Sequence, residues 1–191
     1  IAAQFIENEF KSMNLKPFCA DYRQYYTFPM NVLDGNVTLS FDGRKLTPGK
    51  DFVVWAASPD VKGDFDVIQV KITKAKKLRN LYKLQSQASN KVIVIDKTGV
   101  TDKKVLNALD SLKYYNFLHA KGLIFVSDKK PMWSVMIGFK PRGWAVFDVQ
   151  NSDILKARRV SLEIEGTFNE NYRTSNVAAF VKGKKQPDTF L

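Results

Sequence analysis

The sequence predicts an α+β (mixed α/β) fold: a β-rich sandwich or open barrel carrying two or three helices and one βαβ unit. Three observations predict it. Segments with strict alternation of apolar and polar residues, such as Val37-Thr38-Leu39-Ser40-Phe41 and Val160-Ser161-Leu162-Glu163-Ile164, bracket the middle of the chain and have the period of strands with one face buried. Between them, two continuous apolar runs, at 92–95 and 123–126, flank a stretch with helical spacing, which is the pattern of a buried parallel pair joined by a helix. A further helical stripe opens the chain.

Taken in order, Phe5 and Ile6 stand one turn before Phe10 and Met13, with Glu7, Asn8, Glu9, Lys11 and Ser12 largely on the other side, so residues 1–13 read as an amphipathic helix. Asn14 tolerates the left-handed conformation that ends helices, and Pro17 stops any continuation. Residues 22–30 are aromatic-rich and extended in character. The alternation at 37–41 runs into Asp42-Gly43, a hairpin signal, and the chain returns through Arg44-Lys45-Leu46. Residues 51–55 and 66–72 follow as strands, the second with Ile68, Val70 and Ile72 on one face and Gln69 and Lys71 on the other. Leu78, Leu81 and Leu84 suggest a helix over 76–89. After the apolar run at 91–96, Thr101 or Asp102 caps a helix carrying Val105, Leu109 and Leu112, expected to end near His119-Ala120-Lys121-Gly122. Strands at 123–126, 144–149 and 160–165 close the pattern. Beyond them, residues 175–191 read as one apolar strand, a Gly/Lys/Pro turn and the opening of a second strand.

Composition excludes several classes. The chain has 191 residues, 45% hydrophobic and 26% charged, an ordinary globular balance. No apolar run approaches the roughly 18 residues needed to span a bilayer. Thirty Lys and Arg against nineteen Asp and Glu give a net charge of +11. The basic residues are spread, with concentrations at Lys71, Lys74, Lys76, Lys77, Arg79 and Lys83 and at Lys182, Lys184 and Lys185; no nucleic-acid motif accompanies them, so a solvated face is expected rather than a polyanion site.

Catalytic and metal sites are expected to be absent. A co-catalytic metal pair needs several imidazoles and carboxylates converging on two ions. The chain has one histidine, His119, read as a helix-end residue, and one cysteine, Cys19, read as a small packing residue. The pairs Asp64 with Asp66 and Glu163 with Glu165 sit at strand spacing, which an exposed strand face shows anyway. No nucleophile elbow or phosphate loop occurs, and Asn36-Val37-Thr38, although a glycosylation triplet, reads as the start of a strand. The segment 131–144 stands apart, with two tryptophans, two methionines and flanking Gly and Pro residues. It has the composition of an adaptable apolar recognition surface, with Met132, Trp133, Arg142 and Trp144 as candidate binding residues; the competing and favoured reading is a lid over the domain's own core, because large aromatics usually bury.

Two ends and a middle carry a family resemblance. The amphipathic helix, Asn14-Leu15-Lys16-Pro17 and the aromatic strand resemble the start of the catalytic domain in the co-catalytic zinc aminopeptidases, the family that includes the aminopeptidase Y type and bacterial leucyl aminopeptidases. The hairpin at 175–191 resembles the first hairpin of the same domain, after which that family continues into a His-x-Asp zinc motif. Residues 91–96, 120–126 and 160–166 resemble the protease-associated domain, a module often inserted near the front of these enzymes. The resemblance implies an N-terminal flank at 1–35, a protease-associated domain at 36–166 and a truncated start of the catalytic domain at 167–191. It implies a parent metallopeptidase with two zinc ions outside this chain, a non-catalytic module that gates or shapes substrate access, contacts with its own catalytic domain and with peptide substrate, and a bacterial periplasmic or extracellular location. A freestanding protein-interaction module, or a basic polyanion-binding domain, are the alternative functions.

Overall fold

Eight strands form one mixed, strongly curled half-barrel sheet, so the α+β class with an open β-rich barrel is what the chain adopts. The structure, a computed structural model, describes residues 1–150 and 152–183. In chain order the elements are α1 (Ala2–Ser12), β1 (Lys16–Pro17), β2 (Arg23–Val32), β3 (Val37–Phe41), β4 (Arg44–Lys45), β5 (Phe52–Val54) and β6 (Val61–Lys71). There follow α2 (Arg79–Tyr82), β7 (Val92–Asp96), α3 (Lys103–Tyr115), β8 (Gly122–Val126), β9 (Ala145–Val149), β10 (Arg159–Ile164), β11 (Thr167–Val177) and β12 (Ala179–Phe180). The chain divides into two compact units: Met30–Asn169, and Ile1–Pro29 together with the residues from Glu170 onward.

The larger unit holds the sheet, in the order β4-β3-β10-β6-β7-β8-β9-β5. Neighbours β6, β7, β8 and β9 are parallel, as the strand-helix-strand pattern requires, and every other pairing in the sheet is antiparallel. Alternate residues of the fully buried strand β7 face opposite cores. Val92 and Val94 join a cluster that also contains Leu39 and Phe41 of β3 and Phe52 and Val54 of β5. Because β3 and β5 lie near opposite ends of the strand order yet share that cluster, the sheet must curl until its ends meet over a common core. Ile93 and Ile95 join the second cluster, on the outer face, which Val105, Leu109 and Leu112 of α3 cover. The β3–β4 hairpin turns at Asp42 and Gly43, both with positive φ (45° and 85°), the geometry that makes Asp-Gly favourable there.

Four details depart from the sequence pattern. The expected helix over 76–89 is broken into a 3₁₀ turn at Ala75–Leu78, the single-turn α2, and a 3₁₀ turn at Gln85–Gln87. Leu78, Leu81 and Leu84 recur every three residues, which is the 3₁₀ period and not that of an α-helix. The capping of α3 by Asp102 is as expected, its carboxylate accepting from Lys104 N–H at 2.9 Å, but the helix ends at Tyr115 and not near His119. Asn116 closes it: its backbone N–H donates to Leu112, and its side-chain amide exchanges hydrogen bonds with the backbone of Ala120. Finally, β6 begins five residues before the expected strand, and the polar β11 was not signalled by apolar alternation.

In the smaller unit, α1 has the expected span, and Asn14 is left-handed with φ 52°. Its buried residue, however, is Glu7, while Phe5, Ile6 and Met13 are exposed. Glu7 is held by Lys11 Nζ at 2.6 Å and Arg23 Nε at 2.8 Å, so its carboxyl titrates below the usual range, chiefly through the Lys11 hydrogen bond and then that of Arg23. Two short strands, β1 and β12, pair antiparallel. The long strands β2 and β11 also pair; Gln24 bonds Asn176 and Phe28 meets Tyr172, the descending partner numbers of an antiparallel ribbon. The turn and second strand read from 184 onward, with Lys184 and Lys185, lie outside the described residues.

Candidate functional site

The outer face of the sheet is covered by α3 only in part, and a cleft of about 490 Å³ opens where that cover stops. On β9, Phe147 and Val149 point into the curled core, so Val146 and Asp148 between them point outward. Val53 of β5 pairs with Asp148, and Trp55 donates its N–H to Val146 O at 2.9 Å, which places Val53, Asp148 and Trp55 on the cleft floor. One wall is α3, through Leu106, Asp110, Lys113 and Tyr114; the other is the segment that follows β8, residues 127–134. Lys97, directly after β7, reaches the same space beside the carboxyl ends of the parallel strands, a common place for ligands in such sheets.

The floor is fixed by a small polar network. Ser58 is fully buried; its hydroxyl accepts from Val146 N–H at 3.0 Å, and Asn31 donates to the carbonyls of Ala56 and Ser58 at 2.9 Å each. Trp55 is then held edge-on to Tyr114, ring centroids 5.3 Å apart.

Two ammonium groups flank one carboxylate inside the cleft. Lys113 Nζ lies 2.7 Å from Asp148 Oδ2 and 3.8 Å from Asp110 Oδ1, while Lys97 Nζ lies 3.8 Å from Asp148 Oδ1. Both lysine side chains are only 15% exposed, and both ammonium groups sit over the Phe125 ring, at 5.3 and 5.2 Å from its centroid. The Lys113 ammonium donates to Asp148; the Lys97 ammonium has no hydrogen bond within 3.5 Å among the described residues. Around the cleft stand four lysines (Lys97, Lys113, Lys129, Lys130) against three aspartates (Asp110, Asp128, Asp148). The arrangement suits a ligand with one negative group and an apolar or aromatic body.

The sequence-selected residues are partly brought together. Met132 and Trp133 line the cleft and remain 84% and 67% exposed, so the lid reading fails for them. It holds for Met136 and Trp144, which pack on the outer core, the Trp144 indole N–H donating to Lys113 O at 3.2 Å. Arg142 is outside the cleft; its guanidinium lies over Phe139 at 5.9 Å, and its buried Nε has no hydrogen-bond partner among the described residues. Sequence reasoning missed Lys97, Lys113 and Asp148. Their signal was a charge where pattern demands an apolar residue: Asp148 inside a buried strand, and Lys113 on the Leu109 face of α3.

The other chemistry-bearing residues are structural. His119 is exposed with φ 55° in the loop before β8. Asp64 bonds Ser161, Glu163 pairs with Lys62 at 2.5 Å, and Glu165 accepts from Asn36 N–H at 2.9 Å. No group of three or more His, Cys, Asp or Glu positioned to hold a metal occurs among the described residues, so they do not fit a two-zinc centre. No helix among them is long and apolar enough to cross a membrane.

No protein-family model matches the chain, and no curated protein matches it in sequence. Among solved structures it is similar to the aminopeptidase from Aneurinibacillus sp. strain AM-1, with a TM-score of 0.55 and 14% identity. At that identity the likeness shows the fold alone; it covers 91% of this chain, which spans 40% of the aminopeptidase's length.

Proposed function

We propose that the chain is the protease-associated module of a zinc-dependent aminopeptidase, with segments of the catalytic domain attached, and that it gates or shapes the path of peptides to that domain. The observation that carries the reading is the extent of the fold likeness: 91% of the chain follows a region that makes up 40% of an aminopeptidase. The ends also assemble into a unit of their own, apart from Met30–Asn169, as segments of a second domain would. In this reading the parent's two zinc ions, which would polarise the scissile carbonyl and activate water, are held by polypeptide other than the described residues, and the location is periplasmic or extracellular. The module's own contribution is to admit, exclude or hold peptides.

The test has two arms. The chain alone, with or without added zinc, is expected to give no hydrolysis of aminoacyl-nitroanilides; turnover above a metal-free control would refute the reading. Deleting residues 36–166 from the parent should spare kcat/KM for such small substrates and change the ratio between long and short peptides, whereas an unchanged ratio removes the gating role. A second reading, a protein-interaction module, is favoured by the exposed Met132, Trp133, Val135 and Ile137; it predicts that the deletion leaves all peptide kinetics untouched.

A further inference from the structure

We propose that the cleft between α3, β9 and the segment 127–134 binds the C-terminal carboxylate of a peptide ending in an aromatic or large apolar residue. Four observations converge on that ligand. The Lys97 side chain is 15% exposed and its ammonium has no hydrogen bond among the described residues, with Asp148 at 3.8 Å already engaged by Lys113 at 2.7 Å, so it retains donors for a second carboxylate. A half-buried ammonium gains most from a partner that is itself charged. Trp55, Tyr114 and Trp133 line the same cleft, and the indole N–H of the exposed Trp133 has no protein partner among the described residues. The volume, about 490 Å³, lies within the range of sites that bury a small ligand and is too small for a folded partner.

The polarity of the peptide follows from the charges. An N-terminal ammonium would meet Lys97 and Lys113 unfavourably, and a neutral mid-chain segment would give Lys97 no charge partner beyond the Asp148 carboxylate it shares with Lys113. Free aromatic amino acids share the carboxylate and ring but carry an ammonium one carbon away, which the lysine pair opposes. A peptide held by its C-terminus leaves its N-terminus free, the end an aminopeptidase needs. The inference takes its ligand class from the reading above, but binding requires neither zinc nor the parent, so its failure would leave that reading standing.

The experiment is fluorescence anisotropy on this chain with an N-terminally labelled Ala-Ala-Ala-Phe as free acid and as C-terminal amide, with phenylalanine as competitor. The acid is expected to bind at least about tenfold tighter than the amide, the size of one charge-assisted hydrogen bond. Lys97→Met should abolish the difference, Lys97→Arg should keep it, and Lys45→Met, on β4 and outside the cleft lining, should not alter it. Trp133→Ala should weaken acid and amide alike. Equal binding of acid and amide by the unaltered chain, or no binding of either, overturns the proposal whether or not any variant folds. Phenylalanine competing as well as the peptide overturns the assignment to a peptide end.

Discussion

The pair Lys113–Asp148 offers the sharpest test of the cleft, because its energy depends on how far the site is removed from water. Asp148→Asn leaves the shape and removes the charge that two ammonium groups share. A charge-assisted hydrogen bond at 2.7 Å contributes about 1.5–3 kcal/mol, and breaking a fully buried pair costs about 3–5 kcal/mol. With side chains 15% and 27% exposed, solvent screens part of that, so a loss of about 2 kcal/mol is expected. At a urea dependence of about 2 kcal/mol per M, the midpoint should fall by about 1 M. All three tryptophans, Trp55, Trp133 and Trp144, lie in Met30–Asn169, so selectively excited tryptophan fluorescence reports the unfolding of that unit. The cycle is completed with Lys113→Met and the double variant, and a coupling of about 1–2 kcal/mol is expected. Coupling below about 0.5 kcal/mol, the value of an exposed pair, would refute the claim that this is a half-buried electrostatic site.

Three further perturbations test the rest of the structure. Phe147→Ala, at a fully buried ring 5.8 Å from Phe52, should cost about 3–5 kcal/mol in denaturant unfolding; a loss under about 1 kcal/mol would mean the sheet does not curl over that core. Burial raises the pKa of Asp96, but the Thr98 N–H and the Lys71 ammonium outweigh it and the net shift is downward, so its stabilisation is complete above about pH 5 and is lost as pH falls through the ordinary carboxylate value of about 4 toward the folded one. Asp96→Asn should flatten that acid-side slope in urea midpoints taken from pH 6 to 3, and an unchanged slope would remove Asp96 as its source. Phe5→Ser, on the exposed face of α1, should shift the far-ultraviolet melting of this chain by less than about 0.5 kcal/mol; a larger loss would show that the face is packed.

Much of the fold was legible where one physical demand dominated. The runs 92–95 and 123–126 are apolar on both faces, which only a doubly covered strand satisfies, and they became β7 and β8 with parallel pairing. Asp42-Gly43 and Asp102 acted through local backbone chemistry and needed no tertiary context. Legibility failed where two demands competed. The apolar stripe of α1 suggested a buried face, yet Glu7, ion-paired with Lys11 and Arg23, is the side chain that turns inward while Phe5, Ile6 and Met13 stay exposed. Strand β11 lacks apolar alternation and is held by its pairing with β2. Within 131–144, composition marked a recognition surface but did not separate Trp133, which stays exposed, from Trp144, whose indole finds Lys113 O.

The sequence by itself determined the class of fold, the two buried parallel strands, the caps and hairpin turn, and the absence of a histidine-rich ligand set, because periodicity, turn chemistry and residue counts are local properties. Tertiary structure alone decided that Lys97, Lys113 and Asp148, drawn from three separate elements, meet beside Trp55 and Tyr114. A cleft is made of what the helix layer leaves uncovered on a curled sheet, and that remainder depends on distances between segments that no stretch of sequence contains.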